Sequence, residues 1–417
     1  MAYIPRAVDG ELTSALNYSG AVLIEGPKAC GKTATATQVA RTAYRLDADR
    51  SAQAAADADP TLLLRGEPPV LLDEWQVAPD LWNYVRHAVD DRSPAKGQFI
   101  LTGSAVPLDD VRRHSGAGRI ATLRMRPMSL WESRHSSGEI SLALLMAGEP
   151  ARASDGDMDV PRLVDRIVAG GWPAQVNAAV PVAARAARDY LRQIREVDIS
   201  RVGTTRRDPA RVGRVLGSLA RNVATEAPVS RIAVDAGGGD GPLGRGTVAD
   251  YLAVLERLMV VEDQPAWAPH MRSRAPLRMS PKRHFVDPSL AAAALGAGPE
   301  QLLADLNWTG FLFESLVVRD LRIYSQPIDG EVLHFRDSKG MEVDVVVQLP
   351  DGRWGAFEVK LGTGKVDEAA ASLLRFADRV DTSKAGDPAV LAVITGTGLG
   401  YRRPDGVDVV PIATLGP

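Results

Sequence analysis

The segment IEGPKACGKT, residues 24–33, has the residue types and spacing of a phosphate-binding loop. It fits the pattern G-x-x-x-x-G-K-[ST], in which Gly26 and Gly31 let the backbone turn tightly enough for several N–H groups to point inward. Lys32 would meet the β and γ phosphates of a nucleotide, and the hydroxyl of Thr33 would hold Mg²⁺, a cation that prefers oxygen ligands. This stretch therefore predicts binding of ATP and Mg²⁺.

The sequence around this loop supports the prediction. The apolar run AVLI at residues 21–24 predicts a buried strand, and about residues 31–44 predict a helix whose start adds partial positive charge to the site. The alternative is a glycine-rich turn with a chance Lys-Thr pair. Because strand, loop and helix occur in this order, we expect the other loop positions to line the nucleotide as well: Pro27, Lys28, Ala29 and Cys30.

An apolar run that ends in two acids, PVLLDEWQ at residues 69–76, has the form of a Walker B strand. Asp73 would lie at the carboxyl end of this strand and hold Mg²⁺ together with Thr33. Glu74 is the candidate base that polarises the attacking water. The alternative is a strand that ends in a solvated acidic turn. The order of the two motifs favours a nucleotide-hydrolysing site.

A further strand-like run, GQFILTGS at residues 97–104, ends in hydroxyl side chains. If this strand lies beside the Walker B strand, Thr102 and Ser104 could reach the γ phosphate or the attacking water, so both are candidate nucleotide contacts. Strands that alternate with helices around one phosphate loop predict a doubly wound parallel sheet with its ligand at the carboxyl ends of the strands.

A second group of residues suited to chemistry lies further along the chain. Asp344 falls in one strand-like run, and Glu358 and Lys360 share one face of the next run because strand side chains alternate. Glu314 interrupts the apolar face of a preceding helix. Asp344 and Glu358 could hold Mg²⁺, and Lys360 could orient or deprotonate a water for phosphodiester cleavage. The alternatives are an exposed sheet face with an ion pair, and a nuclease fold that only binds DNA.

The segments GPKACGKT, LLDEWQ, LTGS and GRIATLRMRPMSLWE together resemble the prokaryotic AAA-type ATPases that are fused to a C-terminal domain with a restriction-endonuclease-like fold. The resemblance implies an ATPase core over about residues 1–150. Asp344, Glu358 and Lys360 match the D…E-x-K signature of the nuclease-like fold, and Glu314 matches the helix glutamate that often completes it. The GR of the fourth segment makes Arg119 an arginine-finger or phosphate-contact candidate. A structural arginine on the outer surface is the alternative.

The middle of the chain carries a pattern that favours DNA binding. In residues 228–267 a helix, a turn, a helix and a short apolar run follow the order of a winged helix, whose second helix would present Arg245, Thr247 and Asp250 to a DNA groove. Residues 201–290 contain fourteen Lys or Arg against nine Asp or Glu, a local charge of +5 in a chain of net charge -3. DNA is therefore the expected partner. The alternative is a winged helix that contacts protein or serves as a lid.

Composition limits the class of protein. At 417 residues the chain exceeds what one core usually supports, and its 45% hydrophobic and 24% charged shares are ordinary for a globular protein. The lone Cys30 excludes an internal disulfide and suits a reducing compartment. The sequence lacks a signal-peptide pattern and any apolar stretch near the ~20 residues that span a bilayer. It predicts a soluble, cytoplasmic protein with no membrane partner.

These patterns together predict an α/β protein of three domains. They are an AAA-type ATPase domain with a P-loop NTPase parallel sheet at residues 1–150, a helical and winged-helix domain at 151–298, and a restriction-endonuclease-like α/β domain at 299–417. The predicted function is ATP hydrolysis coupled to Mg²⁺-dependent DNA cleavage. The alternatives are a nucleotide-switched DNA- or protein-binding regulator with a silent nuclease-like domain, and a toxin or defence component. Sequence leaves a homo-oligomer or a partner protein open.

Overall fold

The computed structural model describes residues 3–92, 96–103, 115–199, 207–269 and 279–417. The chain divides into two units. We call residues 1–127, with 200–205 and 257–259, the first unit, and residues 128–199, 206–256 and 260–417 the second unit. The second unit therefore contains the region predicted as a nuclease-like domain and most of the region predicted as a winged-helix domain, and it begins before residue 150.

The first unit is built on a parallel sheet. Its strands are β1 Ala21–Glu25, β2 Thr42–Arg45, β3 Val70–Asp73, β4 Phe99–Gly103 and β5 Ile120–Arg124. They lie in the order β2-β3-β4-β1-β5, and each neighbouring pair is parallel. Because the carboxyl ends of parallel strands meet at one edge, the residues that follow β1, β3 and β4 come together there.

Burial on both faces explains why these strands are continuous apolar runs. In β1, Val22 and Ile24 pack with Leu71 on one side of the sheet, whereas Ala21 and Leu23 pack into a separate apolar cluster on the other side. Side chains that alternate along a strand point to opposite faces, so the two clusters form two core layers. The sheet is thus held between two covered faces, and only its edges are left to bind a ligand.

Helices of the first unit follow the strands. They are α1 Val8–Tyr18, α2 Lys32–Thr37, α3 Arg50–Ala58 and α4 Leu81–Asp91. The helix predicted over residues 31–44 ends early at Thr37, because residues 42–45 extend and pair with β3 instead. Threonine is a poor helix former, and the α2 sequence KTATAT is rich in it. The phosphate loop therefore leads into a short helix.

The second unit opens with a helical part. Its helices are α5 Leu142–Leu145, α6 Val160–Ala169, α7 Val180–Gln193, α8 Pro209–Arg221, α9 Val229–Gly237, α10 Arg245–Arg257, α11 Pro288–Ala294 and α12 Pro299–Ala304. Asp159, Asp208 and Asp287 each accept a hydrogen bond from a backbone N–H at the start of a helix. Such caps satisfy donors that have no partner within the helix, and they fix where α6, α8 and α11 begin.

Isolated antiparallel bridges join segments around α9 and α10. They pair Thr225 with Arg283, Val261 with Phe285, and Gln264 with Lys282. We call residues 282–285 the bridge segment, because it contacts residue 225 on one side and residues 261–264 on the other. Alternation along an extended chain puts Lys282 and His284 on one face of the bridge segment.

A mixed sheet forms the rest of the second unit. Its strands are β7 Glu331–Arg336, β8 Glu342–Gln348, β9 Trp354–Lys360, β10 Val390–Thr395, β11 Tyr401–Arg402 and β12 Asp408–Pro411, in the order β11-β12-β10-β9-β8-β7. A separate parallel pair joins β6 Ile140–Ser141 to β13 Leu415–Gly416. The connecting helices are α13 Leu306–Ser325, α14 Val366–Arg379 and α15 Thr382–Ala385.

Helix α13 is buried along most of its length, from Leu312 to Ser325. Its buried residues include charged ones that are paired, such as Arg319 with Asp287 and Asp320, and α13 contacts β7, β8 and β9 of the mixed sheet. The outer side of β7 is covered near His334, which pairs with Ala266 in a parallel bridge. Among the described residues, no helix is both long enough and apolar enough to cross a membrane.

Candidate functional site

The phosphate loop lies between β1 and α2 and requires glycine at two positions. A Cβ atom on Gly26 would lie 2.3 Å from the carbonyl oxygen of Met125, which is backbone and cannot move aside easily. Gly31 has φ 106°, a conformation that favours glycine. Pro27 and Cys30 are buried in the loop, Lys28 is half-buried, and Ala29 is exposed with φ 61°.

Lys32 closes the loop on itself. Its side chain is buried, and Nζ donates hydrogen bonds of 2.9 Å to the carbonyl oxygens of both Gly26 and Pro27. The ammonium group is thus held by the backbone of the loop. A phosphate group that entered the loop would compete with these two carbonyl oxygens for the lysine, and its negative charge would make it the stronger acceptor.

Asp73 joins the loop to the neighbouring strands. The Thr33 hydroxyl donates a 2.8 Å hydrogen bond to Asp73 Oδ1, and the Thr102 hydroxyl donates a short bond to the same atom. Asp73 is only 2% exposed. Carboxylate and hydroxyl oxygens are the ligands that Mg²⁺ accepts, so Thr33 and Asp73 fit a magnesium ion. The third hydroxyl candidate, Ser104, lies outside the described residues.

Glu74 follows β3 in a left-handed backbone conformation, with φ 55° and ψ 46°. Such a conformation is uncommon for a residue with a Cβ and often marks a functional position. The side-chain amide of Gln76 donates a short hydrogen bond to Glu74 Oε2. A Cβ atom on Gly103 would lie 2.6 Å from Gln76 Oε1, so the end of β4 leaves room for this amide. Gln76 was missed from the sequence, although it stands two positions after Glu74 in the motif.

The structure does not bring Arg119 to the phosphate loop. Arg119 immediately precedes β5, and β5 pairs in parallel with β1 from Ala21 onward, so Arg119 lies at the amino edge of the sheet. The phosphate loop follows the opposite, carboxyl edge. Arg119 forms a 2.6 Å ion pair with Asp90 on the surface. The prediction of a phosphate contact within the same chain is therefore corrected in favour of the surface arginine.

Arginines outside the predicted set lie at the carboxyl edge instead. Arg6 is buried and donates hydrogen bonds to the carbonyl oxygens of Cys30, at 2.9 Å, and Arg126, at 2.7 Å. It therefore ties the phosphate loop to the chain that leaves β5. Arg124, the last residue of β5, lies 4.0 Å from the carboxylate of Glu25. The segment before β1 carries no motif, so sequence alone gave no signal for Arg6.

The second site is a cluster of carboxylates in the second unit. Asp344 projects from β8, Glu358 and Lys360 from β9, and Glu314 from α13. Lys360 Nζ lies 2.6 Å from Glu358 Oε2 and 3.3 Å from Asp344 Oδ2. The backbone N–H of Val359 donates a 2.8 Å hydrogen bond to Asp344 Oδ2. The predicted D…E-x-K residues thus lie together.

A second lysine that the sequence did not single out enters this cluster. Lys282, in the bridge segment, lies 2.7 Å from Glu314 Oε1, 3.1 Å from Glu342 Oε1 and 3.6 Å from Asp344 Oδ1. Its side chain is 2% exposed. In sequence, Lys282 was one basic residue among fourteen, and no spacing rule connects a lysine before α11 to a strand about sixty residues later.

Burial and charge perturb the pKa values of the cluster. Burial raises the pKa of Glu314 to about 8 against the opposing charge of Lys282. Burial raises the pKa of Glu358 to about 8, and the charge of Asp344 adds to that rise. Asp344 behaves differently: burial would raise its pKa, but Lys282 and Lys360 outweigh burial and lower it. Burial would lower the pKa values of both lysines, and the surrounding carboxylates raise them instead.

The cluster does not fit a divalent metal ion. In the part of the chain that the structure describes, no group of three or more His, Cys, Asp or Glu side chains is arranged to hold a metal. Asp344 has an ammonium group beside each of its two carboxylate oxygens. One carboxylate oxygen of Glu314 and one of Glu358 also contact a lysine ammonium group. The prediction that Asp344 and Glu358 bind Mg²⁺ does not match this arrangement.

Two cavities meet at the cluster. One of about 750 Å³ is lined by Glu314, Arg336 and Lys365, and one of about 500 Å³ is lined by Lys339 and Arg375. Both are also lined by Glu342, Asp344 and Lys360. These three residues therefore line both cavities, and each cavity is also lined by basic side chains.

The helix predicted to face DNA is only partly free to do so. Arg245 and Thr247, at the start of α10, are exposed. Asp250 instead accepts a two-pronged ion pair from Arg207, with distances of 2.9 and 3.0 Å. The side chain of Arg207 is 5% exposed, so Asp250 neutralises a buried charge. Asp250 is thus engaged by a buried arginine, and a role for it at a DNA groove stays a prediction.

Comparison with known protein families divides the chain into three matched segments. Residues 18–133 match a family model described as AAA domain. Residues 160–301 match the Domain of unknown function (DUF8612), and residues 309–415 match the Domain of unknown function (DUF4143). The chain thus carries a P-loop ATPase domain of the AAA type, followed by two domains whose function is not known. The resemblance seen in the sequence is confirmed for the ATPase domain.

Whole-chain comparisons add little to this assignment. No curated protein matches the chain significantly. Among solved structures, the chain is similar to a Walker-type ATPase of Pyrococcus abyssi, with 14% identity, a TM-score of 0.41, and 70% of this chain and 96% of that chain covered. It is also similar to a RuvB variant of Thermotoga maritima, with 16% identity, a TM-score of 0.27, and coverage of 62% and 89%.

Proposed function

We propose that this protein binds and hydrolyses ATP at the phosphate loop and uses the nucleotide state to control how its second unit engages DNA. The observation that carries the nucleotide site is the convergence of Thr33 and Thr102 on the buried Asp73. These residues come from the loop and from two adjacent strands, and they meet at the carboxyl edge where a parallel sheet binds its ligand.

Each loop residue has a task in this proposal. Lys32 leaves the carbonyl oxygens of Gly26 and Pro27 and donates to the β and γ phosphates. Thr33 and Asp73 would hold Mg²⁺, which neutralises charge on the phosphate oxygens when it is bound. Thr102 keeps the Asp73 carboxylate oriented.

Glu74 is the proposed base for the attacking water. Its hydrogen bond from Gln76 holds the carboxylate beside β4, and hydrolysis requires Glu74 to accept a hydrogen bond from the water instead. Because Glu74 sits in a left-handed backbone conformation, its position is fixed by the fold around the end of β3. Gln76 therefore positions the base and does not take part in the reaction.

The test of the nucleotide site is steady-state ATP hydrolysis by the full chain. Lys32→Ala should reduce turnover by about 10²- to 10³-fold, which is the loss typical when one charge-stabilising donor is removed. Arg41→Ala is the control, because Arg41 forms an exposed ion pair with Glu67 in the same unit. Unchanged hydrolysis in the Lys32→Ala protein refutes the proposal.

Three features support DNA as the partner of the second unit. The order of α8, residue 225, α9, α10 and the paired segments 261–264 and 282–285 is that of a winged helix. The mixed sheet with Asp344, Glu358 and Lys360 is compatible with the restriction-endonuclease-like fold. The basic side chains that line the two cavities suit phosphate groups.

Metal-dependent DNA cleavage is the second candidate, and the specific observation in its favour is that Asp344, Glu358, Lys360 and Glu314 converge. Against it stand the two ammonium groups among the carboxylates. A plasmid-nicking assay with Mg²⁺ or Mn²⁺ distinguishes the candidates. Nicking by the wild type that disappears in Lys360→Ala would establish cleavage, and its absence leaves binding as the role of this domain.

The position of Arg119 links any arginine-finger role to association between copies of the chain. Arg119 lies at the sheet edge away from its own phosphate loop, so it could act as an arginine finger only on a nucleotide held by another copy of the chain. A homo-oligomer is thus proposed only together with that role. Sedimentation of the protein with and without ATP tests it, and a monomer under both conditions excludes a finger role for Arg119.

A further inference from the structure

We propose that the Lys282 ammonium is the built-in cation of the Glu314–Glu342–Asp344 cluster and that it keeps this centre free of divalent metal. The C-terminal centre would then engage a phosphodiester backbone by direct charge contacts. The part that concerns DNA rests on the proposed function. The part that concerns the metal stands on the geometry of the cluster alone.

The contacts of Lys282 are those of a buried cation with a complete set of partners. A lysine ammonium has three N–H donors. Lys282 has three carboxylates within 3.6 Å, the nearest being Glu314 at 2.7 Å. Since the side chain is 2% exposed, water contributes little to its solvation, and the carboxylates do so instead.

The bridge segment holds Lys282 in this position. The backbones of Lys282 and Gln264 exchange hydrogen bonds of 2.9 and 3.0 Å. Two residues on, His284 is hydrogen-bonded to Ser315 of α13 at 3.2 Å and to Gln264 Oε1 at 3.1 Å. Gln264 Nε2 in turn donates to the carbonyl oxygen of Asp344 at 3.1 Å. This buried network fixes the backbone that carries the Lys282 side chain.

Charge repulsion explains why a metal is excluded. A Mg²⁺ ion binds oxygen at about 2.1 Å and requires an octahedral set of oxygen ligands. At Asp344 it would have to share oxygens that already have ammonium groups at 3.6 Å, from Lys282, and at 3.3 Å, from Lys360. Like charges this close in a buried setting repel strongly. The D…E-x-K pattern supplies one lysine, and the second comes from a separate segment.

The cavities beside the cluster suggest what binds there instead. Arg336 and Lys365 line one cavity and Lys339 and Arg375 line the other. These cations surround a centre in which Lys282 and Lys360 offset part of the negative charge of the carboxylates, so a phosphodiester meets less repulsion there than the acids alone would cause. Such contacts bind the backbone of a nucleic acid and need no metal.

The exclusion of divalent metal by Lys282 is tested by titrating the full chain with Mn²⁺, without nucleotide. Free Mn²⁺ is detected by electron paramagnetic resonance. Wild type and Asp344→Asn should give the same binding curve. Lys282→Met should gain one Mn²⁺ site that disappears again in Lys282→Met/Asp344→Asn. Lys339→Met is the matched control, because within the described residues Lys339 makes no side-chain ion pair, and it should gain none.

Two outcomes overturn the inference that Lys282 excludes divalent metal. One is Mn²⁺ binding by the wild type that is lost in Asp344→Asn, and the other is a folded Lys282→Met protein that gains no site. If Lys282→Met does not fold, the pair Lys282→Met/Glu314→Gln removes both partners of the shortest contact and is titrated in its place. The comparison of wild type with Asp344→Asn decides the question in either case.

Metal-independent binding of DNA is tested by fluorescence anisotropy with a labelled duplex oligonucleotide in excess EDTA. Binding by the wild type should persist in EDTA, and Arg375→Glu should weaken it by about tenfold or more, the effect expected when a phosphate contact becomes repulsive. Binding that disappears in EDTA overturns the inference. Failure to bind DNA in either buffer contradicts the proposed function, and the Mn²⁺ result still stands by itself.

Discussion

At the scale of single residues, Asp73 connects the parts of the nucleotide site. It accepts hydrogen bonds from Thr33 and Thr102, and it is almost fully buried. Buried carboxylates cost free energy unless they are hydrogen-bonded, so these two hydroxyls also stabilise the charge. The Thr33 hydroxyl and the Asp73 carboxylate thus lie close enough for both to hold Mg²⁺.

Asp73→Asn should therefore weaken the response to magnesium. We expect the Mg²⁺ concentration for half-maximal ATP hydrolysis to rise by at least about 10- to 100-fold, because that is the range when only an outer partner of a metal ligand is lost. Asp90→Asn is the control, because Asp90 pairs with Arg119 on the surface. An unchanged magnesium dependence in Asp73→Asn would remove Asp73 from the metal site.

His334 gives the second unit a predicted sensitivity to acid. Burial, followed by the charge of Lys282, lowers its pKa from 6.5 to about 4. The unfolded chain therefore binds a proton between pH 6.5 and pH 4 that the folded chain does not, so stability is lost as the pH falls through this window.

Urea unfolding of the wild type and of His334→Gln at pH 7, 6 and 5 tests this account. The wild type should lose up to about 1.4 kcal/mol of stability per pH unit from this group, and the variant should lack that contribution. Equal pH dependence in the two proteins would show that His334 does not titrate differently on folding.

At the scale of elements, the segment before α1 braces the phosphate loop. Arg6 bonds the carbonyl oxygens of Cys30 and Arg126, which belong to the loop and to the chain after β5. A single guanidinium thus holds two segments at the carboxyl edge of the sheet in register.

Arg6→Ala should weaken ATP binding. Loss of a buried charged hydrogen-bond donor leaves two carbonyl oxygens unsatisfied, at a cost of about 1–3 kcal/mol. We expect the dissociation constant for ATP to rise by about tenfold, measured by equilibrium titration with a fluorescent ATP analogue. Arg119→Ala, an arginine at the opposite edge, should bind with unchanged affinity. If Arg119→Ala weakens ATP binding and Arg6→Ala does not, Arg119 contacts the nucleotide and Arg6 does not support the loop.

The ion pair between Arg207 and Asp250 of α10 stabilises the second unit. Asp250→Ala leaves the buried Arg207 without the carboxylate that accepts two of its hydrogen bonds. We expect a loss of about 1–3 kcal/mol in the free energy of unfolding, measured by urea denaturation. Within the described part of the chain, the Asp235 side chain on α9 accepts a hydrogen bond from Ser218 alone, so Asp235→Ala should cost less. If Asp250→Ala weakens DNA binding without any loss of stability, Asp250 faces the DNA after all.

At the scale of the whole molecule, residues 128–150 belong with the second unit. The backbone N–H of Leu130 donates a 3.0 Å hydrogen bond to the buried Asp320 of α13, and β6 pairs with β13. A fragment of residues 128–417 should therefore unfold at a higher temperature than a fragment of residues 151–417. Differential scanning calorimetry compares the two, and equal midpoints would support a boundary at residue 150.

The ATPase domain could be predicted because its chemistry is local. Motifs such as GPKACGKT and LLDEWQ place their functional residues within a few positions of a strand end, and the parallel sheet then gathers them. The predicted AAA-type ATPase is confirmed by the family match over residues 18–133. Arg6 and Gln76 escaped prediction because a hydrogen bond to a backbone carbonyl, or to a side chain in a turn, leaves no spacing signature.

The carboxylate cluster could be predicted only in part. Asp344, Glu358 and Lys360 lie on two paired strands, so alternation and a short turn connect them in sequence. Lys282 reaches the cluster through a tertiary contact between distant segments, and only the fold reveals it. The nuclease-like and winged-helix assignments stay predictions.

The position of Lys282 also constrains how such a chain can be recombined. Lys282 lies in the segment that matches one family model, residues 160–301, and Glu342 and Asp344 lie in the segment that matches another, residues 309–415. The ammonium group and its counter-charges are thus encoded in two separate segments, which we call modules. A chimera that replaces only one of the two modules would leave a buried charge without its counter-charge. Exchange of these two modules should succeed only when both come from the same parent, or when the lysine and its acids are transplanted together.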